Sequence, residues 1–288
     1  MTATRASFGN KVRNHDLVMA PGVYDLISAK MADRMGFDAL YVTGFGLVAS
    51  YLGLPDAGLA TYTDMLDRVS LICEMTQTPI IADADTGYGG LLNVAHTVKG
   101  YERAGVAAIQ IEDQQFPKKC GHTPNRPVVA QLDMVKKLKV ACDARTDPDL
   151  LIIARTDARA GLGLQEAIDR GGAYAEAGAD VLFIEAPESI DEMRQICQSL
   201  NKPLLANMVS GGKTPVLPGD ELSALGYTIV IHPVAGLLAC AAGLDRVYRD
   251  LKQHGDVTAS TAMYSFSAFN EMIGFADVWA FEKRYAQD

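Results

Sequence analysis

The chain has 288 residues, 49% of them hydrophobic, enough to fill the core of one large domain or two small ones. Its formal net charge of −9 argues against generic nucleic-acid binding, and it holds no apolar run of about 18 residues that would span a membrane. Five cysteines without close pairing point to a reducing compartment, and the polar residues 1–11 lack the apolar middle of a signal peptide, so a cytoplasmic location is expected.

In chain order, short extended apolar runs occupy residues 17–20, 36–43, 79–82, 105–112, 150–154, 178–185, 203–206 and 226–232. Four of them open on a glycine (Gly36, Gly105, Gly178, Gly226), the residue expected where a helix stops before a strand begins. Between the runs lie segments with helical spacing. Residues 63–76 carry Met65, Leu66, Val69, Ile72 and Cys73, and residues 92–104, 131–144, 164–177 and 189–200 behave alike. Nearly continuous apolar strands imply burial on both faces, as in a parallel sheet. The alternation, which runs through about 240 residues, predicts an α/β fold, a (β/α)8 TIM barrel. The rival, an open doubly wound sheet, lacks a G-x-G-x-x-G opening a helix, and Gly87-Tyr88-Gly89-Gly90 has the wrong spacing.

A barrel of this kind places its chemistry at the C-terminal ends of the strands. Those ends carry Tyr41 and Thr43, Asp83 and Asp85, Glu112 and Asp113, Arg155 and Asp157, Glu185, Asn207 and His232. Any one of them could instead be a helix cap. Asp83 and Asp85, two apart on a strand, share a side, and with Glu112 they make an all-oxygen group suited to Mg²⁺ or Mn²⁺. The alternative is a pair of caps, or an ion pair with Arg155. Zinc is disfavoured, because Cys120 and His122 have no further Cys or His nearby. The run Lys118-Lys119-Cys120-Gly121-His122 surrounds a cysteine with cations, which would favour its thiolate; the alternative is a solvated basic loop. Arg155 offers a two-pronged fork for a carboxylate, or a buried partner for Glu185 or Asp157. A metal ion, Arg155 and the backbone amides of Thr43 to Phe45 would suit an α-oxo or α-hydroxy acid, with Cys120 moving a proton at carbon.

These residues resemble the isocitrate lyase/phosphoenolpyruvate mutase superfamily. The matching pieces are Tyr41-Val42-Thr43-Gly44-Phe45-Gly46, Ala82 to Gly89, Ile111-Glu112-Asp113-Gln114, Lys118 to His122, Ile153 to Asp157, Ile184-Glu185-Ala186 and Leu205 to Met208, in order along most of the chain. The resemblance implies a (β/α)8 barrel, here over residues 1–257, with residues 258–288 as a C-terminal helical arm, bound Mg²⁺, and homotetramers built from dimers that exchange C-terminal helices. The aromatic residues Phe266, Phe269, Phe275, Trp279 and Phe281 fit such an arm and would otherwise form an exposed apolar patch, unless the arm packs on its own barrel. The resemblance also assigns roles. Asp83, Asp85 and Glu112 would hold the metal, with Asp56 a further candidate. Cys120 would protonate carbon, with Lys119, His122 and Glu185 tuning that region and Tyr41 a candidate to take the hydroxyl proton. Thr43, Gly44, Phe45, Gly121, Arg155, Asn207 and Pro233 would hold the substrate.

The Lys-Lys-Cys-Gly-His loop resembles the carbon–carbon lyases of this superfamily, where phosphonate enzymes typically lack the cysteine. Leu238 and Val209 stand where methylisocitrate lyases carry an arginine and a threonine, and Phe45 stands where they often have glycine. Without that cation a third substrate carboxylate would be poorly paired. The expected substrate is therefore a 2-alkylmalate such as 2,3-dimethylmalate, with 2-methylisocitrate the alternative. Oxaloacetate hydrolysis follows, weakened by Pro233 where a serine is expected, and then a phosphonopyruvate-type reaction. A non-catalytic barrel and a cysteine-nucleophile hydrolase are further rivals; in the second, Cys120 and His122 lie only two apart on a loop.

Overall fold

A computed structural model describes residues 2–258 and 261–286. Along the chain run α1 (Thr2–Arg13), β1 (Val18–Val23), α2 (Leu26–Asp33), β2 (Leu40–Val42), α3 (Gly44–Leu52), α4 (Tyr62–Met75), β3 (Ile80–Asp83), α5 (Leu91–Ala104) and β4 (Ala108–Glu112). There follow α6 (Gln131–Ala144), β5 (Leu151–Thr156), α7 (Arg159–Leu162), α8 (Leu164–Glu176), β6 (Val181–Ile184), α9 (Ile190–Ser199), β7 (Leu205–Asn207), α10 (Gly219–Leu225) and β8 (Ile229–His232). Three helices end the chain: α11 (Ala235–His254), α12 (Phe266–Ile273) and α13 (Phe275–Tyr285).

The eight strands are parallel and ordered β6-β5-β4-β3-β2-β1-β8-β7. A single parallel bridge, Leu182 to Leu204, links β6 to β7, so the sheet closes into the expected (β/α)8 barrel. The four glycines singled out in the sequence all adopt positive φ, from 72° at Gly36 to 115° at Gly226, so each turns the chain where a Cβ would be strained.

Side-chain alternation divides each strand between two layers. Ile81, Ala108, Leu151, Ile153, Val181, Phe183, Leu205, Ile229 and Ile231 form one buried cluster, the barrel lumen. Their neighbours Ile80, Ala82, Ile109, Ile152, Ala154 and Leu182 pack with helix residues in a second cluster outside the strands. Continuing the inward set one step past the lumen core gives Asp83, Gln110, Arg155, Glu185 and Asn207, and a second step on β4 gives Glu112. Strand geometry alone therefore sends these polar groups to one mouth.

At the other end, α1 contributes Phe8 and Val12 to the lumen cluster. Arg5 ties it down, with Nε donating to the Val106 carbonyl at 2.6 Å and Nη1 paired with Asp147 at 2.9 Å. Phe8→Ala is expected to cost about 3–5 kcal/mol, read as a lower urea midpoint with an unchanged slope.

The chain forms two units, Met1–Leu237 and Leu238–Asp288, so the boundary falls inside α11. The arm expected over residues 258–288 contains α12 and α13; Met1 and residues 259–260 and 287–288 of the sequence-based division lie outside the described residues. Among the described residues no helix is long and apolar enough to cross a membrane.

Candidate active site

Asp83 ends β3. Its Oδ1 accepts hydrogen bonds from the Asp85 N–H at 3.1 Å and from Gln110 Nε2 at 3.2 Å. Asp85 takes a left-handed backbone, φ 49°, unusual for a residue with a side chain and a mark of a constrained site. Burial, the largest cause, pushes its pKa up to about 7, with Asp83 and Asp56 adding and Lys118 opposing. The N-terminus of α3 faces the same pair: a Cβ on Gly44 would lie 2.7 Å from Asp83 Oδ2 and 3.4 Å from Asp85 Oδ1. Thr43 caps that helix, its Oγ1 accepting from the Gly46 N–H at 3.5 Å. The first-turn amides of Gly44 and Phe45 have no acceptor within the helix and suit an anionic oxygen.

Glu112 ends β4 and Arg155 lies near the end of β5, paired in register. Arg155 is ringed by carboxylates: Asp157 at 2.9 Å, Glu112 at 3.4 Å and Glu185 at 3.4 Å. Both sequence readings of Arg155, ligand fork and buried ion partner, are thus available to it. Glu185 is followed by Ala186 at φ 58°, a second left-handed position at the rim. Glu185 Oε2 accepts from Asn207 Nδ2 at 3.1 Å, and its Oε1 lies 3.5 Å from His122 Nε2. The Lys213 N–H donates to His122 Nδ1 at 3.4 Å, and Nε2 meets the Asn207 side-chain amide at 3.3 Å as well as Glu185. Burial lowers the pKa of His122, so the ring is neutral.

The loop after β4 closes this group. A Cβ on Gly121 would lie 2.4 Å from Arg155 Nη2 and 2.7 Å from the Glu185 carboxyl carbon, so only glycine fits there. The Cys120 N–H donates to the Asp56 carbonyl at 3.3 Å, bringing the cysteine to the same end of the barrel as the aspartates. Its expected thiolate is corrected. Burial is the largest effect on Cys120 and raises its pKa, outweighing a hydrogen bond from the His122 backbone and the charge of Arg155. The lysines do not reverse this. Lys118 is buried and spent on Asp56 at 2.6 Å and Asp85 at 2.5 Å. Lys119, named in the sequence as part of the catalytic group, turns its Nζ to the Asn125 carbonyl at 3.3 Å, while its backbone is held by the Gln114 side chain. Of the adjacent lysines, the structure brings Lys118 to the site.

Tyr41 is the candidate to take the hydroxyl proton. It points into the lumen and its hydroxyl donates to Gln110 Oε1 at 3.0 Å. Burial first, and Asp83 second, raise its pKa well above the ordinary phenol value, so the hydroxyl holds its proton tightly. Pro233 sits at the same rim, where its carbonyl would come within 2.1 Å of a Cβ on Gly22. Gln110, which fixes both Tyr41 and Asp83, went unremarked in the sequence; its signal was a polar residue at the inward parity of β4.

Six buried carboxyl groups (Asp56, Asp83, Asp85, Glu112, Asp157, Glu185) face three buried basic groups (Lys118, Arg126, Arg155), and burial raises the pKa of Asp85 and Glu112, the cost of ionising carboxyls that lack a cation of their own. Glu112 Oε1 is buried without a hydrogen-bond partner, and Asp56 Oδ1 and Asp85 Oδ1 share the single ammonium of Lys118. Among the described residues no three Asp, Glu, His or Cys side chains converge as a ready-made chelate. This donor set fits a hard divalent ion held by few protein oxygens, with water or substrate completing its shell.

The comparisons with known proteins agree with this geometry. The family model for phosphoenolpyruvate phosphomutase matches residues 10–252. A 2,3-dimethylmalate lyase of Eubacterium barkeri is 47% identical over 285 residues, covering 98% of each chain. A 2-methylisocitrate lyase of Aeropyrum pernix is 43% identical, covering 96% of this chain and 88% of its own. Among solved structures, a phosphonopyruvate hydrolase in complex with oxalate and Mg²⁺ superposes with a TM-score of 0.88 at 31% identity, covering 99% of each chain. With polar strand ends gathered at one barrel mouth and a match along nearly its whole length, the chain belongs to the phosphoenolpyruvate mutase/isocitrate lyase superfamily.

Proposed function

We propose that the protein is a carbon–carbon lyase that splits a 2-hydroxy dicarboxylate of the 2,3-dimethylmalate type into a 2-oxo acid such as pyruvate and a monocarboxylate such as propionate. The observation that carries this reading is the Cys120 loop brought to the mouth of the barrel, with the Cys120 N–H on the Asp56 carbonyl at 3.3 Å and Gly121 packed against Arg155 and Glu185. A carbon acid product needs a proton delivered at carbon, and a buried thiol with a raised pKa can deliver one.

Asp83, Asp85 and Glu112 would hold Mg²⁺ or Mn²⁺, with Asp56 alongside, and the ion would stabilise negative charge developing on the substrate's C2 oxygen. Arg155 and the Gly44 and Phe45 amides bind the carboxylate that stays with the 2-oxo acid. The hydroxyl proton passes to water at the barrel mouth, the C2–C3 bond breaks, and its electron pair passes into the second carboxylate fragment. Cys120 then places its proton on C3, and the thiolate left behind takes up a proton from water, so the two products together contain the atoms of the substrate. Gly121, His122 and Asn207 hold that second fragment, and Pro233 borders it. Neutral His122 avoids a competing proton source beside Cys120. The 43% identity to a 2-methylisocitrate lyase favours cleavage of that substrate as the second reading.

The deciding experiment incubates the protein with Mg²⁺ and, separately, 2,3-dimethylmalate, other 2-alkylmalates, 2-methylisocitrate, oxaloacetate and phosphonopyruvate. The expected result is 2-oxo acid formation fastest from an alkylmalate. Turnover of phosphonopyruvate alone would overturn the lyase reading.

For assembly, we infer that the unit Leu238–Asp288 pairs with another copy. In the isolated chain Phe266 is 80% exposed, Phe281 63% and Trp279 58%, an apolar surface that a partner would cover. A helix-exchanged homotetramer would appear in light scattering at four times the 30.9 kDa chain mass.

A further inference from the structure

Arg126 lies at the far end of the Cys120 loop, yet its guanidinium is buried. Its Nη1 donates to the Thr123 carbonyl at 2.8 Å and to the Cys120 carbonyl at 3.4 Å. Its Nε faces Asp157 Oδ1 at 3.3 Å. That same Oδ1 accepts from Arg155 Nη2 at 3.0 Å, while Oδ2 accepts from Arg155 Nε at 2.9 Å. One carboxylate therefore anchors both the guanidinium of the site and the guanidinium that wraps the cysteine's carbonyl.

Asp157 is itself rigidly placed. Its N–H donates to Asp113 Oδ1 at 3.0 Å. Asp113 Oδ2 accepts from Thr156 Oγ1 at 2.7 Å, Tyr174 OH at 2.7 Å and Arg170 Nη1 at 3.0 Å. Every partner here is buried, so the anchor is a fixed point of the barrel rim. The tip residues Pro124 and Asn125, by contrast, are exposed. Lys118, Gln114 and the Asp56 carbonyl hold the loop ahead of Cys120, and the Arg126–Asp157 ion pair ties it down beyond the exposed tip.

We propose that Arg126 is a positioning residue: by latching onto Asp157 it holds the Cys120 sulfhydryl over the site and makes loop closure depend on the carboxylate that aims Arg155. Its effect on turnover rests on the lyase reading above; its effect on the loop does not.

The test uses the full-length protein with Arg126→Gln and Arg126→Lys, and two readouts. The first is the rate at which iodoacetamide labels each cysteine, followed by peptide mass spectrometry. In R126Q, Cys120 should label at least ~10-fold faster, while Cys73, Cys142 and Cys197, partly buried elsewhere, keep wild-type rates and report an intact fold. R126K keeps the charge but not the fork and should fall between. The second readout is kinetic: kcat should drop about 100-fold in R126Q with KM little changed, since Arg126 places the proton donor and does not bind substrate. Wild-type labelling of Cys120 in R126Q overturns the latch, as does equal labelling in R126K and R126Q or faster labelling of all cysteines alike. If the wild-type protein turns over none of the tested acids, the lyase reading fails while the labelling still decides the latch.

Discussion

Replacing Cys120 with alanine is expected to lower kcat by about 10²–10⁴-fold, the usual contribution of a placed general acid. Binding of oxalate with Mg²⁺ should be unchanged, because Arg155, the α3 amides and the carboxylates stay in place. The pH profile supplies a second check. The thiol must carry its proton in order to give it up, and burial holds its pKa above the ordinary thiol value. Wild-type kcat should therefore stay level across neutral pH and fall only above the ordinary thiol range, and that alkaline limb should vanish in the residual activity of Cys120→Ala. Near wild-type turnover in the variant, or an alkaline limb that begins near neutrality, would remove Cys120 from the reaction.

Asp85→Asn is expected to uncouple the protein from its metal. Asparagine keeps the shape and tolerates the left-handed backbone at this position, φ 49°, where alanine would be strained. Turnover should fall by about 10²–10³-fold, as when a stabiliser of developing oxyanion charge is lost. Mg²⁺ at about a hundred times its Kd should stabilise the wild-type protein by ~2.7 kcal/mol and the variant not at all. Without metal the order changes. A carboxyl whose folded-state pKa is raised to about 7 contributes stability at low pH and loses it as the pH rises through that value. At pH 8 the metal-free variant should therefore melt no lower than the metal-free wild type. Calorimetry with and without Mg²⁺ reads both effects, and an unchanged Mg²⁺ response in the variant would show that Asp85 is not a ligand.

Much of the barrel was legible because a strand buried on both faces leaves a mark that depends on few contacts. The eight apolar runs and the helix over Gln131–Ala144 lie where the sequence places them, since each follows from hydrophobic patterning, with a glycine stop ahead of four of the runs. Helices α1 and α3 escaped notice for opposite reasons. The first is polar apart from Phe8 and Val12, whose value emerges only when they enter the lumen. The second opens with Gly44 and Gly46, poor helix formers that suit the close approach to Asp83.

At the site, strand-borne residues were readable from parity, and loop-borne residues were not. Neighbours in a loop have no fixed side, so nothing in Lys118-Lys119 marks which lysine meets Asp85. The state of Cys120 was equally hidden. Adjacent cations in the sequence suggest a thiolate, but Lys118 is committed to Asp56 and Asp85, His122 is neutral, and burial decides the outcome. Arg126 lacked any local signal, because its partner Asp157 lies 31 positions along the chain (157 minus 126).

The two-layer alternation has a consequence for how this enzyme can change. Cohesion and chemistry are written on the same staves, one residue apart. Deleting a single residue between Gly105 and Glu112 would rotate Gln110 and Glu112 outward beneath the helices and present Ile111 to the substrate. Fold and catalysis would be lost together. Length variation is therefore confined to the connections beyond the strand tips, and new substrate preferences must be acquired there by exchanging side chains around an unaltered frame.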